Sequence, residues 1–279
     1  MDGAGGDRLR SGRGARSAAR RRGPAVEACV HPVYDPLARW LDRLPRDGWP
    51  TLEALNALAE AAGVRTASDK PVRFVPPAAS GPYYEIHVHE SGQVSTRAQN
   101  WHDLFNALAW LAFPRTKAMI NALHAAELPR ESGRRGRLRD LLTIFDEGGA
   151  IVLCDDAGLE AMVRACRWKE LFWEHRERVR RGLRIVVLGH AVLDQSRHPW
   201  PGITCKVMFA PHDADPDASA AEWLRLHAPG GSPKALASLP IFGYPDWHPG
   251  TACEAFYADE RYFRPLRKDV CGAPGAAAR

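Results

Sequence analysis

The spacing of apolar residues predicts a mainly helical chain. After Thr51, which suits a helix N-cap, leucine and alanine recur every three or four positions until Gly63. The stretch that begins at Asn100 predicts two further helices, separated at Phe113-Pro114, because proline disfavours helical geometry in the residue before it. The same periodicity predicts helices over 36–44, 138–145, 218–227 and 156–183, the last with a break near Arg167.

Other parts of the pattern predict a small β component. Residues 83–89 and 93–97 alternate between apolar and polar around Ser91-Gly92, which is typical of a β-hairpin. Apolar runs over 150–154 and 203–209 predict two strands, and paired glycines indicate a turn over 146–149. No segment has the composition of an interdomain linker. The chain is therefore predicted to form one α+β domain over 24–270, mainly helical, with small antiparallel β hairpin and sheet pieces.

The net charge is concentrated at the N-terminus. The chain has 279 residues, of which 45 % are hydrophobic, and a formal net charge of +5. Seven arginines and two aspartates in residues 1–23 account for all of this charge, so the rest of the chain is neutral. A neutral body disfavours nucleic-acid binding, which usually needs a basic face. Residues 1–23 and 271–279 lack an apolar period, and we expect both tails to be disordered.

Apolar segments and cysteines bear on the location of the protein. The longest apolar stretches, 104–113 and 185–193, are much shorter than a membrane span. No apolar segment follows the N-terminal arginines, as a secretory signal would require. The six cysteines lack the paired spacing of a zinc ribbon and indicate reduced thiols. We therefore expect a soluble, cytoplasmic protein with no membrane partner.

Polar residues on the helix after Asn100 form the main candidate site. At 100° per residue, His102, Asp103 and Asn106 fall opposite a broad apolar side. Asn100 suits the N-cap and Asp103 the third helical position, so capping explains Asp103 as well as a site does. Asn106 has no such explanation, because an asparagine one turn deeper in a buried helix needs a partner.

The next predicted helix has a polar face of its own. Lys117, Asn121 and His124 recur at spacings of four and three residues and therefore share one side of the helix. This face could continue or confront the face of His102 and Asn106, depending on how the chain turns at Pro114. Alternatively, it could be the solvent-exposed side of an amphipathic helix.

Downstream and upstream segments add further candidates. Polar residues recur at helical spacing over 139–147, namely Arg139, Asp140, Thr143 and Asp146 or Glu147. Of these, Asp140 could pair with Arg97, Lys117 or His124. In the predicted hairpin, Glu85, His87 and His89 would share one strand face, which could bind a metal or simply face solvent.

Several motifs match a known family. They are Thr96-Arg97, 100–108, 113–117, Asn121 and His124, followed by Arg139-Asp140, 145–147, 189–191, 239–243, Phe256-Tyr257 and 263–265. Through them the chain resembles, over about residues 30–268, a bacterial family catalogued as a domain of unknown function, DUF3025. The resemblance implies a single bacterial domain and supplies no reaction. The hairpin histidines are not among the matching motifs.

Two functions of different classes agree with these residues. The first is a hydrolase that acts on an anionic small molecule, with the help of a divalent metal or by acid–base catalysis alone. In this hypothesis the catalytic residues are His102, Asp103, Asn106, His124 and Asp140. The substrate-binding residues are Arg97, Lys117 and Asn121, and the candidate metal ligands are His102, His124 and Asp140.

The second hypothesis is a non-catalytic protein-binding domain. The same polar residues would then form a structural polar core, and aromatic residues near Trp247 and Tyr257 would face a protein partner. Stability measurements distinguish the two hypotheses, because removing a member of a paired core network leaves its partners unsatisfied.

Overall fold

The computed structural model describes residues 29–46, 48–78, 83–131 and 135–266. The tails 1–23 and 271–279, which we expect to be disordered, lie outside the described residues, as do both ends of the predicted domain. The helices are α1 (Ala38–Leu41), α2 (Leu52–Ala61), α3 (Tyr84–Ser91), α4 (Trp101–Ala112), α5 (Pro114–Glu127), α6 (Arg137–Gly148), α7 (Ala157–Arg164), α8 (Arg176–Gly182), α9 (His190–Gln195) and α10 (Pro216–His227).

The strands form two small sheets and confirm the α+β class. They are β1 (Arg73–Val75), β2 (Gln93–Ser95), β3 (Gly149–Leu153), β4 (Arg184–Val187), β5 (Thr204–Ala210) and β6 (Ala237–Pro240). β1 and β2 pair in parallel, and the larger sheet has the order β4-β3-β5-β6. β3 is antiparallel to β4 but parallel to β5, so the larger sheet is mixed rather than purely antiparallel.

Short helical turns complete the chain. α7 ends at Arg164, and residues 165–167 are not helical, which confirms the predicted break near Arg167. A π-helical turn at Glu170–Glu174 precedes α8. The remaining turns are of the 3₁₀ type, at Pro32–Leu37, Leu128–Arg130, Pro233–Ala235, Ile241–Gly243, Pro249–Ala252 and Glu254–Ala258.

β3 is an inner strand of the larger sheet, and all of its residues are buried in the core. α6 and α10 pack on β3 and β5, and α5 packs on both of these helices. α4 packs against α9 and against α5. The polar faces of α4 and α5 consequently lie near the junction of α6, α9 and the sheet rather than at the periphery.

Local capping chemistry explains where the helices begin. The Thr51 hydroxyl accepts a hydrogen bond from Ala54 N (3.2 Å) at the start of α2, and Asn100 Oδ1 accepts one from Asp103 N (3.0 Å) at the start of α4. Both N-caps are as predicted, since a side-chain oxygen at this position satisfies an N–H group that has no partner within the helix. A long-range contact caps α5, where Asp217 accepts from the first free N–H groups.

The predicted hairpin over 83–97 is wrong in its first half. Residues 84–91 form the helix α3, which ends at Gly92 with φ 75°, and β2 pairs with the preceding strand β1. Because α3 has no clear apolar side, its sequence does not show the helical period. A Cβ on Gly92 would overlap the carbonyl oxygen of Pro71, so glycine permits both the left-handed conformation and the close approach of β1.

The predicted turn over 146–149 is also wrong. α6 continues through Gly148, and β3 begins at Gly149 in an extended conformation (φ −81°, ψ 149°). A Cβ on Gly149 would overlap the Phe145 carbonyl oxygen. The glycine therefore serves a close backbone approach, which a single sequence does not distinguish from a turn.

No helix in the described part of the chain has the length and apolar character needed to cross a membrane.

Candidate functional site

The pairing of β3 with β4 brings two distant segments of the chain together. Because the strands are antiparallel, the start of β3 lies beside the end of β4. The Gly149 carbonyl accepts hydrogen bonds from Leu188 N (3.1 Å) and Gly189 N (2.9 Å). As a result Glu147, at the end of α6, and His190, the first residue of α9, are neighbours.

A third side chain joins them from α4, the helix that packs on α9. The His102 and His190 rings meet edge to face with centroids 4.5 Å apart. Glu147 Oε2 lies 3.4 Å from His190 Nε2 and 3.9 Å from His102 Nε2. The three ligand-type atoms all lie within 4.8 Å of one another. We call these three residues the His/Glu cluster.

The spacing of the His/Glu cluster fits a metal ion. At metal–ligand distances of about 2.0–2.1 Å, two ligands of a tetrahedral ion are about 3.3 Å apart. The Glu147–His190 separation matches this value, and rotation of the partly exposed His102 would close the wider gaps. Within the described residues no other set of three histidine, cysteine or acidic side chains converges in this way.

One side of the His/Glu cluster is open to solvent. The side chain of His190 is 4 % exposed, whereas those of His102 and Glu147 are 37 % and 42 % exposed. Three ligands with a solvent-facing side leave room for a water molecule or a small substrate, as in catalytic rather than structural zinc sites.

Behind the His/Glu cluster lies a paired polar network. Lys117, only 4 % exposed, donates from Nζ to Asp146 Oδ1 (2.5 Å) and to Asn106 Oδ1 (2.8 Å). Asn106 Oδ1 thus has the partner that its position on a buried helix requires. Because its ammonium group is engaged with Asp146 and Asn106, Lys117 is held inside the protein rather than presented to a ligand.

Charge and burial shift the pKa values of these groups. Burial alone would raise the pKa of Asp146, but Lys117 and His190 outweigh it and hold the pKa below its ordinary value. Burial lowers the pKa of His190 to about 4, so this imidazole is neutral near pH 7. Burial also raises the pKa of Glu147 above its ordinary value.

The polar face of α5 is buried along its length, so the solvent-exposed alternative for this face is wrong. Asn121 and His124 are each 2 % exposed. Asn121 Nδ2 donates to the main chain (2.8 Å) and side chain (2.9 Å) of Glu85, which reaches in from α3. His124 Nδ1 accepts from Arg139 Nε (3.3 Å). Burial lowers the pKa of His124 to about 4.

Two other candidates form ion pairs near the surface. Arg97 binds Asp103 through two side-chain hydrogen bonds of 2.9 and 2.8 Å, and its own side chain is 59 % exposed. Asp140 is 49 % exposed and lies 3.6 Å from Arg135 rather than beside Arg97, Lys117 or His124.

Of the three metal ligands expected from sequence, only His102 belongs to the His/Glu cluster. The cluster takes its other members from α6 and α9 rather than from His124 and Asp140. The histidines of the predicted hairpin lie on α3, where His87 faces Gln93 (3.2 Å).

Sequence reasoning missed Glu147 and His190 as partners of His102. Glu147 falls within the predicted turn and among the polar residues over 139–147, and His190 lies in the apolar stretch 185–193, outside the candidate site. One signal was present in the sequence. Each residue lies next to a glycine beside an apolar segment, Glu147 before the strand predicted over 150–154 and His190 after Gly189 in the apolar stretch 185–193. Had the second segment also been predicted as a strand, antiparallel pairing of the two would have indicated the contact.

The fold and the His/Glu cluster together define a mainly helical α+β protein with a candidate metal site. The chain belongs to the family described as Protein of unknown function (DUF3025), which matches residues 72–267. This match confirms the resemblance indicated by the motifs. No curated protein and no solved structure matches the chain.

Proposed function

We propose that the protein is a hydrolase whose divalent metal ion is held by His102, Glu147 and His190. The observation that supports this proposal is the convergence of three ligand-type atoms from α4, α6 and α9 on one partly open point. A bound divalent metal would lower the pKa of a coordinated water molecule to about 7 and so supply a nucleophile at neutral pH. The three side chains would hold the ion and leave its solvent-facing side to water and substrate.

For the substrate we propose an anionic small molecule. The guanidinium groups of Arg97 and Arg135 are 59 % and 44 % exposed and supply positive charge near the cluster. Arg97 binds Asp103, the residue next to His102, and the charge of Arg135 acts on Glu147. Lys117 has no place in substrate binding in this proposal, because its side chain is buried, at 4 % exposure, whereas the equally paired Arg97 presents most of its side chain to solvent.

One observation favours the non-catalytic alternative: the buried ammonium group of Lys117 is hydrogen-bonded to both Asp146 and Asn106. A paired buried network is what a structural polar core requires. However, the aromatic residues expected to face a protein partner are buried, with Trp247 at 9 % and Tyr257 at 4 % exposure. That expectation was wrong. We therefore propose a structural role for the network of Lys117, Asp146 and Asn106 and a functional role for the His/Glu cluster.

The test is metal binding by the full-length protein without an affinity tag. We expect wild type, stripped with a chelator, to bind one Zn²⁺ or Mn²⁺ ion per chain in calorimetric titration. His102→Ala and Glu147→Gln should abolish this binding. The matched control is His198→Ala, which removes an exposed histidine outside the cluster and should bind like wild type.

Activity is measured on the same proteins with a panel of phosphate and carboxylate esters. Hydrolysis that requires added metal and disappears in His102→Ala and Glu147→Gln would support the proposal. Wild-type protein that binds no Zn²⁺, Mn²⁺ or Mg²⁺ would overturn the metal-dependent mechanism.

A further inference from the structure

The two ring nitrogens of His190 face two different carboxylates. Nε2 lies 3.4 Å from Glu147 Oε2, within the His/Glu cluster, and Nδ1 lies 3.8 Å from Asp146 Oδ2, outside it. His190 is 4 % exposed, and its Nδ1 is buried without a hydrogen bond. A buried polar atom without a hydrogen bond is costly, so the unpaired Nδ1 needs an explanation, and Asp146 Oδ2 is close enough to provide one.

Asp146 is held in place from its other side. Its Oδ1 accepts from Lys117 Nζ at 2.5 Å, which leaves Oδ2 directed toward His190. Lys117 is in turn fixed by its second hydrogen bond, to Asn106. The carboxylate therefore has a defined orientation, with one oxygen bound to the ammonium group and the other near the imidazole.

This arrangement selects one tautomer of His190. If the proton were on Nε2, the lone pair of Nδ1 would face the negatively charged Asp146 Oδ2, which is repulsive. Glu147 Oε2 faces Nε2 at 3.4 Å, but its side chain is 42 % exposed and solvated by water, whereas that of Asp146 is 21 % exposed, so the more buried carboxylate decides the tautomer. With the proton on Nδ1, the N–H group points at Asp146 Oδ2, and a small movement would complete a hydrogen bond. The lone pair of Nε2 then points into the His/Glu cluster, where a metal ligand needs it.

We propose that Asp146 is a positioning residue for metal binding. It holds His190 in the Nδ1–H tautomer and so presents Nε2 as a ligand. Metal-binding histidines commonly donate their other N–H to a carboxylate or carbonyl oxygen, which fixes the ring and raises its basicity. Lys117 fixes Asp146 and has no direct part in ligation. The inference rests on the proposed metal site, but the tautomer of His190 can be tested without metal.

Two substitutions separate positioning from stability. Asp146→Asn and Lys117→Met both break the Lys117–Asp146 ion pair, and both should lower the thermal midpoint. In Asp146→Asn the ammonium group attracts the amide oxygen, which leaves the NH₂ group facing His190 Nδ1 and favours the Nε2–H tautomer. Lys117→Met keeps the carboxylate beside His190.

The first measurement is Zn²⁺ affinity, by competition with a chromophoric chelator. We expect Asp146→Asn to bind Zn²⁺ about 10–100-fold more weakly than wild type, the usual effect of removing a partner of a metal-binding histidine. Lys117→Met should stay within about threefold of wild type, since it retains that partner. Equal weakening in both variants, or none in Asp146→Asn, would overturn the proposal.

The second measurement does not depend on either variant being folded. Long-range ¹H–¹⁵N correlation spectra of metal-free wild type distinguish the two tautomers of a histidine, and His190→Gln assigns the signal. An Nδ1–H signal for His190 at pH 7 supports the proposal, and an Nε2–H signal overturns it. If wild type shows Nδ1–H but binds no metal, the failure lies with the metal site and not with the tautomer that Asp146 selects.

Discussion

The burial of His124 makes the stability of the metal-free protein depend on pH in a defined direction. Burial lowers the pKa of this imidazole from an ordinary 6.5 to about 4, while in the unfolded chain the pKa returns to its ordinary value. Between these two pH values the unfolded chain binds more protons than the folded protein. The contribution of His124 to stability is therefore complete above pH 6.5 and is lost as the pH falls toward 4.

The magnitude follows from the two pKa values. Each pKa unit corresponds to about 1.4 kcal/mol, so complete loss amounts to about 3 kcal/mol of unfolding free energy. For a domain of this size that is roughly 6–12 °C in thermal midpoint. His190 has a similarly lowered pKa, so wild type loses stability from both histidines over this range.

The assay is urea unfolding at pH 7 and pH 4.5 in the presence of a chelator. His124→Asn removes the titrating group but keeps a side-chain oxygen that can accept the hydrogen bond from Arg139 Nε. Between the two pH values the variant should lose about 2–3 kcal/mol less than wild type. His198→Asn, at an exposed position, serves as the control and should match wild type. Equal losses of unfolding free energy in His124→Asn and wild type would refute the reasoning, because they would mean that His124 has the same pKa in the folded and the unfolded protein.

Three further predictions concern stability. Asn106→Ala removes a hydrogen-bond acceptor of Lys117 and should lower the free energy of unfolding by about 2 kcal/mol, or roughly 4–8 °C in thermal midpoint. An unchanged thermal midpoint would contradict a structural role for the network. Gly189→Ala should lower the thermal midpoint because the new Cβ would lie 2.5 Å from Gly149 N. The control Gly182→Ala, whose Cβ would have its closest contact at 3.7 Å, should be tolerated, and equal midpoints in the two variants would argue against the close approach of Gly189 to Gly149. Asp217→Ala leaves the first N–H groups of α5 uncapped and should lower the free energy of unfolding, measured in urea, by about 1–2 kcal/mol. An unchanged free energy of unfolding would mean that water replaces the carboxylate as the cap.

Features set by neighbouring residues were predictable from the sequence. The N-caps Thr51 and Asn100 and the break at Phe113-Pro114 depend on local chemistry, and all three are present in the structure. The helix α3 was missed because eight residues without an apolar side show no helical period. β2 pairs with β1, which precedes α3 in the chain, and this pairing depends on tertiary packing rather than on the Ser91-Gly92 pattern.

The candidate site was predictable only in part. The sequence identified the polar side of α4, including His102 and Asn106, from periodicity on an apolar helix. It also indicated that Lys117 and Asn121 share a face, but not that this face is buried. The glycines beside Glu147 and His190 were only a weak signal for their contact, because it depends on the register of β3 against β4. Strand register is a long-range property that a single sequence specifies weakly.

The hydrogen bonds that Gly149 accepts from Leu188 and Gly189 have a consequence for the metal selectivity of the proposed site. They hold the main chain beside Glu147 close to the main chain beside His190, so the spacing of the two backbone positions does not depend on which side chains occupy them. The junction of β3 and β4 thus holds the backbone positions of two ligands at a fixed spacing. Exchanging a carboxylate for an imidazole or a thiolate at such a position would change the preferred metal, since ligand type governs that preference, while leaving the fold in place.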